Sequence, residues 1–298
     1  MLRGKKTPIS QDNAQFSLSQ ALTAAAQTLQ QAGLVDARRE AASLLGHVLD
    51  RPYTYLLTHP EQPLNLSQMN ALQELTSRRA AGVPFAYITG QREFYGLAFE
   101  VTPDVLIPRP ETELLVEKAS EIIRQSDAPA FICDVGTGSG CIPIALLHEN
   151  PSARAIALDI SPAALRVAQR NAARHHLHER LQLVESDGFS ALTPARQFTL
   201  IVSNPPYIPA ATVDDLQREV RLHEPHLALT PGPEGLEMIR RLLLEAPPFL
   251  CAGGYLLLEI GYDQAAAIRA LVNPQTWQLL DIYHDLQGHP RLVELRKQ

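Results

Sequence analysis

Cysteine is scarce in this chain: three residues among 298, at positions 133, 141 and 251, with no C-x-x-C spacing and an odd total. Neither a disulfide framework nor a thiolate metal site is supported, so no metal is expected and a reduced compartment is the economical reading. Long apolar runs are also missing. No stretch approaches the roughly 18–20 residues that a membrane-spanning helix needs, and the opening "MLRGKKTPISQDNAQ" lacks the apolar core of a secretory signal. The sequence therefore predicts a cytoplasmic protein with no membrane partner and a flexible leader over 1–16. Positive charge is in deficit, with 26 Lys and Arg against 32 Asp and Glu for a formal net charge of −6. Wide contact with a phosphate backbone draws its free energy from many basic residues, so no stable nucleic-acid partner is expected.

Hydrophobic residues make up 45% of the chain, with both charge signs present, which excludes disorder. The length suits one large domain, or a domain of roughly 200 residues with a smaller partner. Residues 17–82 read as helical. "SLSQALTAAAQTLQQAG" offers Ser17 as a cap, apolar residues at 18, 22, 25 and 29, and Gly33 as a stop. "DARREAASLLGHVLD" repeats the pattern before Arg51-Pro52, and "SQMNALQELTSRRAAG" starts a third helix with Ser67 as its expected cap. None of these can hide its apolar stripe alone, so a small bundle is expected. Residues 83–110 read as a connector in which "REFYGLAFEV" forms a hairpin turning at Gly96-Leu97. "LIPRPETELLVEKASEII" then passes into a helix with Pro110 in its first turn.

From residue 129 the rhythm changes. "PAFICDVG", "ARAIALDI", "LQLVESD" and "FTLIVSN" are short apolar strands separated by helical stretches, as a parallel sheet buried on both faces requires. Residues 208–233 are irregular, and a helix, the strand "GYLLLEIG" and two late strands follow. Ligands gather at the carboxyl ends of parallel strands, where Asp134, Asp159, Asp187 and Asn204 should converge. "DVGTGSGC" places Gly136, Gly138 and Gly140 between a strand and a helix, which lets a ligand lie against bare backbone. The dinucleotide fingerprint would want glycine where Cys141 stands, and the phosphate-loop ending is absent. Acids at three successive strand ends suit a ligand without phosphate whose ribose, adenine amine and ammonium want acceptors, and S-adenosylmethionine is such a ligand. Asp159 is placed to accept the ribose hydroxyls, although it also stands where a helix cap would.

Asn204-Pro205-Pro206-Tyr207 completes the pattern. "DVGTGSG" with Asp159, Asp187 and "NPPY" resembles the class I S-adenosylmethionine-dependent methyltransferases that modify planar nitrogens. "GQREFYGLAFEV", "LIPRPETE", "NPPYIP", "EVRLHEPHLAL", "GPEGLEMIRRLL" and "LLLEIG" resemble the peptide chain release factor glutamine N5-methyltransferases over nearly the whole chain. The resemblance implies an α/β fold: a Rossmann-like class I methyltransferase sheet over 111–298, an N-terminal helical-bundle domain over 17–82 that docks substrate, and a connecting β-hairpin. It implies S-adenosylmethionine held by Asp134, Gly136, Thr137, Gly138, Gly140, Asp159, Asp187, Gly188 and Asn204. Release factors are the implied protein partners of a monomer, methylated at the glutamine of a Gly-Gly-Gln loop.

A glutamine nitrogen is a poor nucleophile because its lone pair is delocalised into the carbonyl. The side-chain oxygen of Asn204 and the carbonyl of Pro205 are two acceptors able to orient it, while the prolines remove competing donors. Tyr207 offers a flat face, so Asn204, Pro205 and Tyr207 are the expected catalytic group, with Pro206, Arg109 and Glu111 completing the substrate site. Glu219, Arg221 and Glu224 are read either as a wall facing the substrate or as solvated charge. Three readings compete with this one: adenine-N6 methylation of nucleic acid, glutamine methylation of another translation protein, and a binder of translation factors without catalysis.

Overall fold

The computed structural model describes residues 16–126, 128–194 and 197–298, and all but Phe16 of the expected leader lies outside them. The chain forms two compact units that divide between Thr89 and Gly90.

The first unit is helical, with α1 (Leu18–Gln31), α2 (Ala37–Leu49), α3 (Tyr53–Thr58), α4 (Leu66–Ala80) and α5 (Phe85–Thr89). Ser17 caps α1 in a reciprocal box with Gln20, and Leu18, Leu22, Ala25 and Leu29 are buried as the spacing predicts. The cap of α4 is Asn65 rather than Ser67, because Asn65 pairs reciprocally with Gln68 three positions on. Leu29, Leu44 and Leu45 are fully buried together. The Arg79 guanidinium donates to both oxygens of Glu40, joining α4 to α2.

The second unit starts with a hairpin, β1 (Gln91–Phe94) and β2 (Leu97–Glu100). Phe94 pairs with Leu97, so the two-residue turn is Tyr95-Gly96, not Gly96-Leu97, with φ of 52° and 71°. Positive φ at both central residues is the turn that matches strand twist. Asn171 fastens the hairpin: its Oδ1 accepts from the Glu100 amide at 2.7 Å and its Nδ2 donates to the Glu100 and Ser139 carbonyls. The expected connector over 83–110 is thus shared, with 85–89 in the helical unit and the hairpin in the second.

Then come α6 (Glu113–Arg124), β3 (Phe131–Val135), α7 (Cys141–Glu149), β4 (Arg154–Asp159), α8 (Pro162–Arg174), β5 (Leu181–Glu185) and β6 (Phe198–Ser203). A segment with two short helices, α9 (Arg218–His223) and α10 (His226–Leu229), leads to α11 (Glu237–Glu245), β7 (Leu250–Glu259), α12 (Ala265–Leu271), β8 (Trp277–His284) and β9 (Pro290–Lys297). The sheet order is β5-β4-β3-β6-β7-β9-β8, parallel through β7 and antiparallel at the two last strands. The chain runs outward from β3 to β5 and then returns to place β6 beside β3. That reversal leaves a crevice at the carboxyl ends of β3 and β6, where open α/β sheets bind ligands. Two apolar layers cover the sheet faces, one around Leu115, Ile132, Ile144 and Leu257, the other around Ile156, Phe198, Ile239 and Trp277. The three thiols sit at different depths. Cys133 is buried in mid-strand on β3, Cys141 is buried at the first turn of α7, and Cys251 on β7 is half-buried.

Candidate active site

A cavity of about 630 Å³ opens at the reversal. Gly136, Gly138, Asp159, Asp187, Gly188 and Asn204 line it with Pro206, so most of the expected cofactor residues converge there, whereas Asp134, Thr137, Gly140, Pro205 and Tyr207 are not in its lining. The loop after β3 makes one wall. Gly136, Gly138 and Gly140 have φ of 79°, 55° and 79°, values that a side chain would strain. A Cβ on Gly136 or Gly138 would meet nothing within 4 Å, so these two offer bare backbone to a ligand. At Gly140 it would stand 3.2 Å from the Ala168 and Ile144 side chains, so this glycine serves close packing of α7 against α8.

Asp159 ends β4 and binds the loop. Its Oδ2 accepts from the Gly138 amide at 2.8 Å and its Oδ1 from the Ser161 amide at 2.9 Å. Burial raises its carboxyl above the ordinary value, and backbone donors, Ser161 foremost, pull it back. Each oxygen keeps acceptor capacity for a further donor, so the loop brace and the expected ribose contact are compatible. The α8 cap falls to Ser161, whose hydroxyl accepts from the Ala164 amide.

Asp134 lies beneath the loop, fully buried. Neither of its oxygens nor the nearby Thr137 hydroxyl has a hydrogen-bond partner among the described residues. Orphaned buried acceptors are costly, and they fit a cofactor that brings donors, such as an ammonium group. Burial pushes the Asp134 carboxyl up to about 7. A carboxyl that binds its proton more tightly folded than unfolded adds stability at low pH, and that stability is lost as pH rises through about 7. At pH 8 and without cofactor, Asp134→Asn is expected to melt above the parent by on the order of 1–3 kcal/mol of stability. It should also flatten the decline in stability from acid to neutral pH. Thermal melts across that range check this, and an unchanged profile overturns it.

Asp187 and Gly188 close the far wall. The Asp187 carboxylate is paired with the guanidinium of Arg241, which also donates to the Asp187 carbonyl at 2.8 Å and to Glu245. Sequence reading assigned no role to Arg241, although it lies within "GPEGLEMIRRLL", because a cation on a helix face does not by itself show which strand end it meets.

Asn204 follows β6, whose Ser203 hydroxyl donates to the Val135 carbonyl at 2.6 Å and so ties the two strand ends. The Asn204 amide group donates through Nδ2 to the Thr112 hydroxyl at 3.1 Å. That bond leaves the oxygen end of the amide unspent. Pro205 is buried and Pro206 lines the cavity. Tyr207 packs against the second apolar layer and donates its hydroxyl to Glu259 at 3.2 Å. Arg109 does not line the cavity. Its guanidinium pairs with Glu224 at 2.5 Å, and Glu224 also accepts from the Ile107 amide. Glu224 is therefore a buried brace between the segment before α6 and the one after β6, neither wall nor solvated charge. Glu111 lines a separate cavity of about 370 Å³ with Tyr95, Glu113 and His284. Arg221 is exposed near Asp214, 3.9 Å away.

A parallel sheet with its reversal beside β3, a glycine loop of bare backbone and an acid closing β4 define a class I S-adenosylmethionine-dependent methyltransferase. Residues 20–90 match the model of the PrmC N-terminal domain, and residues 110–234 match that of the methyltransferase small domain. The chain is 42% identical over 95% of its length to the release factor glutamine methyltransferase of Koribacter versatilis, covering 99% of that protein. It is 44% identical over 93% of its length to the one of Cereibacter sphaeroides, covering 97% of it. This chain belongs to the release factor glutamine methyltransferase family. Among solved structures, the hMettl16 catalytic domain in complex with an RNA hairpin aligns over 76% of this chain and 82% of its own, at 16% identity and a TM-score of 0.53. That likeness shows the fold alone.

Proposed function

We propose that this chain methylates the side-chain N5 of the glutamine in the Gly-Gly-Gln loop of peptide chain release factors, with S-adenosylmethionine as donor. The observation that carries this is Asn204: its amide is fixed by Thr112, and it lines the same cavity as the bare backbone of Gly136 and Gly138. When bound, S-adenosylmethionine supplies a methyl group on a sulfonium, the carbon–sulfur bond breaking with its electron pair as the carbon–nitrogen bond forms. Gly136 and Gly138 give it backbone to lie against, Asp159 takes ribose hydroxyls, and Asp134 and Asp187 offer acceptors to its ammonium and adenine ends. Asn204 Oδ1 and the Pro205 carbonyl each accept one glutamine N–H and stabilise the charge that grows on the nitrogen, whose surplus proton passes to water. Tyr207 lies flat against the amide.

Among the described residues no helix is long and apolar enough to cross a membrane. The reading takes the protein as a cytoplasmic monomer that engages release factors through its helical unit, without a stable nucleic-acid partner. Labelled S-adenosylmethionine with purified release factors and peptide mapping tests it, and label anywhere but on the Gly-Gly-Gln glutamine overturns it. In the same assay, a chain beginning at Gly90 that still melts cooperatively is expected to lose far more turnover on whole release factor than on a concentrated Gly-Gly-Gln peptide. Equal losses on both would make the helical unit purely structural.

A further inference from the structure

Tyr207 is held at both ends. Its hydroxyl donates to Oε1 of Glu259, and its carbonyl accepts from Nε2 of Gln264 at 3.0 Å. Gly235 presses on the same carbonyl, since a Cβ there would stand 2.4 Å from it. Gln264 is fully used, giving its second N–H to the Gly235 carbonyl and accepting from the Gly261 amide. Glu259 is not. It is the last residue of β7, only 2% exposed, and its Oε2 is buried without a hydrogen-bond partner among the described residues.

A buried carboxylate with an unserved oxygen is costly, so the groups around it matter. Tyr207 faces it from the turn after β6, Thr112 and Glu111 from the turn before α6, and Arg291 from β9. The Arg291 guanidinium is committed to Asp285 at 3.2 Å and to the Ile260 carbonyl at 3.4 Å. Thr112 is not committed in the same way. It is 2% exposed, and its hydroxyl oxygen accepts from Asn204 Nδ2, so its own proton has still to be given. The Thr112 hydroxyl is among the groups that favour the ionised form of Glu259, whose Oε2 is unpartnered among the described residues, and this makes that oxygen the candidate acceptor.

We propose that Glu259 is a positioning residue for methyl transfer: its ionised carboxylate takes the Thr112 proton, which leaves the Thr112 oxygen as the acceptor for the Asn204 amide and keeps Asn204 Oδ1 turned to the substrate. The proposal rests on the reading of Asn204 given above. The same carboxylate fixes the Tyr207 ring through its hydroxyl, so one buried charge sets both side chains that flank the prolines. Burial pushes Glu259 up to about 7, against the Thr112 hydroxyl and the Arg291 charge. Protonation of Glu259 removes the acceptor that Thr112 needs, and the direction of the Asn204 amide is no longer specified.

Glu259→Gln keeps the volume but replaces one oxygen with a donor NH2, so Thr112 and Tyr207 no longer each face an acceptor oxygen of their own. In full-length protein without substrate, the ¹⁵N side-chain amide signal of Asn204 is expected to titrate with a midpoint near 7. The titration should vanish in Glu259→Gln and persist in Asp134→Asn. A parent signal that does not move, or a midpoint that survives Glu259→Gln, overturns the proposal whether or not the protein methylates glutamine. On a Gly-Gly-Gln peptide, Glu259→Gln should lower kcat at least tenfold while KM and cofactor affinity stay within about twofold. Adding Tyr207→Phe frees the glutamine carbonyl for Thr112 and should recover part of that loss. A kcat within threefold of the parent in Glu259→Gln sinks the idea, whereas a parent enzyme inactive on glutamine would sink the proposed function alone.

Discussion

Replacing Asn204 with alanine is expected to leave S-adenosylmethionine affinity near normal and to cut the single-turnover rate on glutamine by on the order of 10²-fold or more. The strand fixes where the residue stands, through the Ser203 bond to β3, and Thr112 fixes which way its amide faces. Alanine removes the acceptor without adding charge. Because acceptor bonds to the nitrogen tighten as it becomes cationic, the loss falls on turnover more than on binding. Aspartate would be a poorer control, since a carboxylate there also changes the field around the sulfonium. A rate within about threefold of the parent, in a folded variant, would return Asn204 to a strand-end cap.

Asp159→Ala is expected to weaken S-adenosylmethionine binding by about 1–3 kcal/mol, the scale of a lost charge-assisted hydrogen bond. Two losses add in this variant. The ribose hydroxyls lose their acceptor, and the Gly138 and Ser161 amides lose theirs, so the glycine loop is released from β4. Asp159→Asn keeps one acceptor and should lie between. Calorimetric titration of both variants decides the matter: affinity equal to the parent in the alanine variant would assign Asp159 to the loop alone.

Much of this arrangement is legible in the sequence because it is local. A glycine at φ of 79° leaves little choice of residue, and an acid that ends an apolar strand stands out by contrast. Asn65 could also have been read as the cap of α4, since Gln68 completes a box with it, whereas Asn70 completes none with Ser67. Glu259 carries the same signal as Asp134 and Asp159, an acid closing "LLLE", but the residues after it are not decisive enough to assign it chemistry from sequence. Arg109 with Glu224 left no trace at all. A pair 115 residues apart has no period, and only the folded chain shows that the two meet. The six residues of α3 follow directly on Arg51-Pro52, a dipeptide that ends one helix and here also opens the next.

The depths of the three thiols give the protein its own set of clocks. Burial pushes Cys141 up to about 12 and Cys133 higher than a free thiol, so neither is reactive while its surroundings stay closed. Cys251 meets an alkylating reagent in the native state. Cys141 meets it when the turn between the glycine loop and α7 opens, and Cys133 only when the centre of the sheet comes apart. Labelling followed in time by mass would therefore separate breathing of the cofactor loop from global unfolding in one unmodified chain, and a cofactor resting on that loop would slow the second clock while leaving the first untouched.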